Sequence, residues 1–137
     1  MAFISGAGSG SIGANPNRRD PMAIRRIAEE PRLSGAVVGG GLIWLAGQVA
    51  DDATLDAEGQ TADILRQIDA LLAEAGTNKR ALLSITVVLA DIRDAPGMNR
   101  AWDSWLDPGH KPARMTIEAA LVDPAWKVEI TGVALAP

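Results

Sequence analysis

The sequence predicts an α+β domain of two layers, a mixed β-sheet built largely from hairpins and packed by two helices. Three observations carry this prediction. Ala36-Val37-Val38, the triplet Gly39-Gly40-Gly41 and the run Leu42 to Val49 read as strand, turn and strand. Two stretches, after Asp56 and after Asp94, place apolar residues at the 3.6-residue spacing of amphipathic helices. Two further apolar runs, Arg114–Val122 and Lys127–Leu135, close the chain as strands. The expected order is β, β, β, α, β, α, β, β.

Taken in order, residues 1–21 stand apart. They carry Ser5-Gly6-Ala7-Gly8-Ser9-Gly10-Ser11-Ile12-Gly13 and Asn15-Pro16-Asn17-Arg18-Arg19-Asp20-Pro21, the composition of a Gly/Ser/Pro-rich extension or an expression remnant. Gly8-x-Gly10-x-x-Gly13 matches a dinucleotide fingerprint in form, but that motif needs a helix to begin at once, and prolines and asparagines follow instead. Residues 22–137 form the single domain. Met22 to Ala28 alternates weakly, as an edge strand does, and Glu29-Glu30-Pro31 breaks it. Leu42 to Val49 is apolar on both faces, so an interior strand covered on two sides is expected. Asp56 is placed to cap a helix whose stripe is Ile64, Leu65, Ile68, Leu71, Leu72 and Ala75, with Gly76 as its stop. Ala81 to Ile92 reads as a second doubly apolar strand with Leu83, Ile85, Val87 and Leu89 on one face. Asp94 and Pro96 open the second helix, whose stripe is Met98, Ala101, Trp102, Trp105 and Leu106. The two tryptophans read as core anchors before a ligand platform.

Composition excludes several chemistries. At 137 residues with 47% hydrophobic side chains, the chain fills one core without disulfides. It has no cysteine, which removes thiol nucleophiles and thiolate metal sites and suits a cytoplasmic protein. The one histidine, His110, leaves no imidazole set for zinc or for a two-histidine ribonuclease. No metal or cofactor is therefore expected. A net charge of −4 is the wrong sign for nucleic acid, and no apolar run reaches membrane length. His110 and Lys111 are placed to steer an anion, or are a solvated loop.

Arg114 follows His110-Lys111-Pro112-Ala113 at the mouth of a strand, with Pro112 forcing Ala113 into an extended conformation. A guanidinium held on a stiff lead-in can grip a carboxylate through two parallel hydrogen bonds. The alternative is a strand-end arginine in a surface ion pair. Glu129 lies in the apolar setting Val128-Glu129-Ile130, where a carboxyl is suited to acid/base work, or is a strand-face glutamate paired with a lysine. If the last two strands form a hairpin with Val122 opposite Lys127, Arg114 and Glu129 share a face. They are then roughly 20 Å apart along the strands. One small molecule could not bridge them, so a site using both must join two subunits.

From Arg32 onward the chain resembles the RidA (YjgF) family. The residues that carry the likeness are Leu45-Ala46-Gly47-Gln48, Gln67 to Gly76, Met98-Asn99-Arg100-Ala101-Trp102, Pro112 to Glu118 and Lys127-Val128-Glu129-Ile130. Asn99 to Asp103 and the short loop after Gly47 are most similar to the YoaB-like branch. The resemblance implies a chorismate-mutase-like fold, assembled as a homotrimer around a central barrel with clefts between subunits. It also implies hydrolysis of reactive enamines and imines, such as 2-iminopropanoate, to a keto acid and ammonium. In that scheme Arg114 clamps the substrate carboxylate and Glu129 positions and relays protons for the attacking water. The Gly47 carbonyl fixes the imine nitrogen, and the Thr116 N–H and Asn99 complete the pocket.

Three positions depart from the family pattern. Leu33 aligns where deaminating members carry a pocket tyrosine, Ala46 where a serine is expected, and Thr116 where a cysteine is frequent. These changes imply weaker turnover or a larger, more apolar ligand. The leading expectation is a deaminase of a carboxylate-bearing metabolite. The second is a trimer that binds such metabolites without turnover. The third is a ribonuclease or translation inhibitor, which the acidic charge and single histidine oppose.

Overall fold

In the computed structural model, the described residues are 22–137 together with Gly13, Pro16 and Asp20. The rest of the extension, including Gly8 and Gly10 of the glycine motif, lies outside the described residues. The strands are β1 (Arg25–Glu29), β2 (Ser34–Gly39), β3 (Leu42–Val49), β4 (Leu82–Leu89), β5 (Ala113–Glu118) and β6 (Val128–Leu135). The α-helices are α1 (Ala57–Glu74) and α2 (Ala95–Trp105), in the predicted order.

The β2–β3 hairpin turns on Gly40 and Gly41, with φ of 63° and 78°. Two consecutive positive φ angles make a two-residue turn whose twist matches the strands, and glycine adopts it without Cβ strain. Helix α1 starts where the Asp56 carboxylate accepts the Gly59 N–H at 2.8 Å. It ends where Gly76 turns left-handed at φ 91° and Thr77 N–H reaches the Leu72 carbonyl at 2.9 Å. Its stripe of Ile64, Leu65, Ile68 and Leu72 is at most 1% exposed and packs with Ile43, Ile85, Val87, Leu89 and Ile130. Each such side chain contributes about 1.5–3 kcal/mol through burial.

The sheet order is β1-β2-β3-β6-β4-β5. All neighbouring pairs are antiparallel except β4 and β5, which are parallel and joined through α2. The expected β5–β6 hairpin is therefore corrected: β4 lies between them. The strand after Pro112 is also shorter than expected, ending at Glu118, and Val122 is 96% exposed. Leu83 does not join Ile85, Val87 and Leu89 in the core. A register shift between Leu82 and Ser84 turns it outward, 47% exposed. Both helices cover one face of the sheet. The other face carries Trp44, Met115 and Ile117 at 41–55% exposure, so β3 is covered on one side within the chain rather than on two. Among the described residues, no helix is long and apolar enough to cross a membrane.

Candidate functional site

One half of the candidate site lies where β3 bulges. Pairing with β6 shifts between Leu45, opposite Gly132, and Gln48, opposite Ile130, which places Ala46 and Gly47 in the irregularity. The bulge is tied down on both sides. Thr131 Oγ1 donates to the Leu45 carbonyl at 2.7 Å, and Gln48 Nε2 donates to the Ala46 carbonyl at 3.0 Å. The Glu129 carboxylate packs directly over Gly47: a Cβ built there would stand 2.7 Å from Oε1. Glycine at this position is thus what admits the carboxylate. Leu33 is half-exposed just before β2, and Gly35 lies within reach of Gln48 Nε2, so the start of β2 flanks the bulge.

The second half forms between β5 and α2. The Arg114 guanidinium lies 5.1 Å from the Trp102 ring centroid, and Nη1 is 3.7 Å from Met98 Sδ. Trp102 is both the core anchor expected from the sequence and a platform for the cation. Among the described residues, the ion pairs are Arg66–Asp63, Arg80–Asp107, Arg93–Asp91, Arg100–Glu58 and His110–Asp107. Arg114 is in none of them, so the surface ion pair weighed as its alternative is not formed. Asn99 is half-buried on α2, one turn before Trp102. Thr116 sits opposite Val87, its Oγ1 buried and without a hydrogen-bond partner among the described residues.

The neighbouring acids are occupied elsewhere. Glu118 accepts the Ile92 N–H at 3.0 Å. Asp107 holds the loop before β5: the Gly109 N–H, then His110 and Arg80, keep its carboxyl below the usual carboxylate range. His110 is thereby part of a turn 3.3 Å from Asp107. No cluster of three or more His, Cys, Asp or Glu side chains suited to a metal occurs among the described residues.

Within one chain the two halves do not meet. Arg114 pairs with Ile85 and Glu129 with Val88, three positions apart on β4, so their side chains leave opposite faces of the sheet. Strand spacing puts their Cα atoms roughly 14 Å apart. The shared face expected from a β5–β6 hairpin is corrected. The inference that one chain cannot close both residues on a small molecule stands, now on parity. Gly47 and Glu129 share one side, with Ala46 beside them in the bulge and Leu33 in the loop before β2; Arg114 and Thr116 are on the other side, which α2 with Asn99 covers. Sequence reasoning missed Thr131 and the role of Trp102 beneath Arg114.

The family model described as endoribonuclease L-PSP matches residues 23–136. The chain belongs to this family, the YjgF/RidA family. Among YjgF/RidA relatives, the RutC family protein YoaB of Escherichia coli is 44% identical over 113 residues, covering 82% of this chain and 98% of its own. A RutC family protein of Haemophilus influenzae is 43% identical over 114 residues, covering 82% and 98%. A solved YjgF-family structure from Neisseria meningitidis superposes with TM-score 0.83 at 42% identity, covering 86% of this chain and 98% of that one. Yeast Mmf1, at 16% identity and TM-score 0.77 over 84% of this chain and 100% of that one, shares the fold.

Proposed function

We propose that this YjgF/RidA protein hydrolyses reactive enamines or imines that carry a carboxylate, working as a homotrimer with each site shared between two subunits. The observation that carries the reading is Arg114, a guanidinium braced on Trp102 and in no ion pair among the described residues. Such a group is preorganised for an anionic ligand, because no internal partner must first be displaced. In the proposed site the Arg114 half of one subunit faces the Glu129–Gly47 half of its neighbour. The exposed apolar face bearing Trp44, Met115 and Ile117 supports burial between copies.

The chemistry asks little of the protein. Arg114 fixes the carboxylate, with the Thr116 N–H and Asn99 completing the pocket, and the Gly47 carbonyl receives the protonated imine nitrogen. Glu129 accepts a proton from water as its oxygen bonds to the imine carbon. It returns that proton to nitrogen, and as the C–N bond breaks the hydroxyl on the former imine carbon gives up its own proton to the departing ammonia, by way of Glu129, leaving keto acid and ammonium. The substrate is already electrophilic, so neither metal nor covalent nucleophile is needed. We place the reaction in the cytoplasm and treat residues 22–137 as its single domain.

A second reading is a trimer that binds keto acids without turnover. Leu33 and Ala46 favour it, since they stand where deaminating members carry the tyrosine and serine hydroxyls. The test follows decay of 2-iminopropanoate generated in situ, without protein, with wild type and with Arg114→Ala. Acceleration by wild type alone supports deamination. Equal decay in all three sinks it, and saturable pyruvate binding would then favour the second reading.

A further inference from the structure

Gln60 occupies a position in the buried stripe of α1, four residues before Ile64 and eight before Ile68, where an apolar side chain would be expected. It has no exposed surface. Its Oε1 accepts the Lys127 N–H at 2.8 Å. Its Nε2 faces three carbonyls, Ala53 at 3.2 Å, Leu55 at 3.0 Å and Ala125 at 3.2 Å. These partners belong to two segments that leave the same end of the β3–β6 ladder, where Val49 pairs with Glu129: the loop leaving β3, shortly after Gly47, and the loop entering β6, two residues before Glu129.

The same helix grips the first loop at two more points. Asp63 Oδ2 accepts the Asp51 N–H at 2.7 Å, and Gln67 Nε2 donates to the Val49 carbonyl at 2.9 Å. On the other side, the Lys127 carbonyl accepts the Ala90 N–H at 3.0 Å, tying the same residue to the end of β4. One buried amide therefore pins both loops at the end of the β3–β6 ladder that carries Gly47 and Glu129. An apolar residue of equal size would fill the space but leave a backbone N–H and three carbonyls unpaired, and residues 53–55 and 125–127 would lose the anchor they share.

We propose that Gln60 is a positioning residue that holds the Glu129 carboxylate against Gly47 by fixing the two loops on α1. The proposal rests on the reading of Gly47 and Glu129 as one half of the site. None of the Gln60 hydrogen bonds goes to Arg114, Asn99 or Thr116, so loosening it should disturb the water-activating half and spare the carboxylate clamp.

The test uses full-length protein with Gln60→Met, which keeps the volume, and Gln60→Glu, which keeps an acceptor for Lys127. With 2-iminopropanoate, Gln60→Met should lower kcat about tenfold or more and leave KM within about threefold. Gln60→Glu should fall between the two. A second readout needs no turnover: the backbone amide resonance of Gly47, identified by its response to Glu129→Gln, should also move in Gln60→Met. Wild-type kcat in Gln60→Met, a loss expressed only in KM, or an unmoved Gly47 resonance would overturn the proposal. If wild type itself fails to accelerate imine decay, the deaminase reading falls alone and the Gly47 resonance decides the positioning role. If Gln60→Met does not fold, Gln60→Glu decides on the same two readouts.

Discussion

Adding one methyl group at Gly47 separates function from stability in a way that a second glycine calibrates. In Gly47→Ala the new Cβ stands 2.7 Å from Glu129 Oε1 and 3.0 Å from Cδ, whereas ordinary contact begins at 3.4 Å. The carboxylate must therefore withdraw by about 0.7 Å or more. It is the end of a flexible side chain, so a rotamer change costs about 0.5–1.5 kcal/mol. Alanine in place of glycine returns about 0.5–1 kcal/mol in a strand, leaving a net change within about 1 kcal/mol of zero. In Gly132→Ala the Cβ stands 2.6 Å from the Ser84 carbonyl and 2.6 Å from Ile85 Cδ1. That carbonyl belongs to β4 and cannot retreat without opening the sheet, so a loss of about 1–3 kcal/mol or more is expected. Urea unfolding at fixed protein concentration should leave the Gly47→Ala midpoint within about 0.5 M of wild type and lower Gly132→Ala by roughly 1 M or more. Imine hydrolysis should fall about 100-fold in Gly47→Ala, the scale of a misplacement near 1 Å. In a Glu129→Ala background the Gly47→Ala change should cost nothing further. Wild-type turnover in Gly47→Ala, or destabilisation equal to that of Gly132→Ala, would refute the reasoning.

Asp56→Ala removes the carboxylate that caps α1 and should cost about 1 kcal/mol, read as a lower thermal midpoint with unchanged helix signal in circular dichroism. Trp102→Ala removes a 5%-exposed core ring and the platform beneath Arg114. A loss of about 3–5 kcal/mol in urea unfolding is expected. Asp91 is pulled from 3.8 to about 2, first by the Arg93 side chain and then by its backbone N–H. The folded chain thus binds that proton less readily than the unfolded one, so the stabilisation is complete above about pH 4 and is lost as pH falls through about 2. The stability gap between wild type and Asp91→Asn should shrink over that window, and a gap that is constant with pH would contradict the assignment.

The helices and the first hairpin were legible because their signals are local. Asp56, the spacing from Ile64 to Leu72 and Gly76 mark α1, and Gly40-Gly41 can form few turns other than the one observed. Strand partnership was not legible, because it is decided by which apolar faces meet across the whole chain. β5 and β6 are neighbours in sequence, yet β5 pairs with β4 and β6 runs between β4 and β3. Residues 119–127 form a connection longer than the 2–5 residues of a common hairpin loop, but the apolar run up to Val122 reads as strand and hides its length. Leu83 was misplaced because a bulge interrupts the alternation that periodicity assumes. Arg114 and Glu129 stood out by residue type and resemblance, but their opposite faces depend on register and could not be read in advance. Gln60 was invisible for a different reason: its role lies in four backbone partners far apart in sequence, which no apolar pattern records.

The place of β6 has a consequence for how the molecule comes into being. Among the described strands it is the last in chain order, yet it occupies the middle of the sheet, between β3 and β4. As the chain emerges from the ribosome, β1–β2–β3 can zip through short hairpins, and β4–α2–β5 can form its parallel pair. Neither piece can join the other until residues 128–135 arrive. Each then presents an open strand edge beside exposed apolar side chains, the condition under which nascent chains stick to one another. The final strand acts as a keystone, and its insertion over long sequence separations is expected to be the slow step of folding.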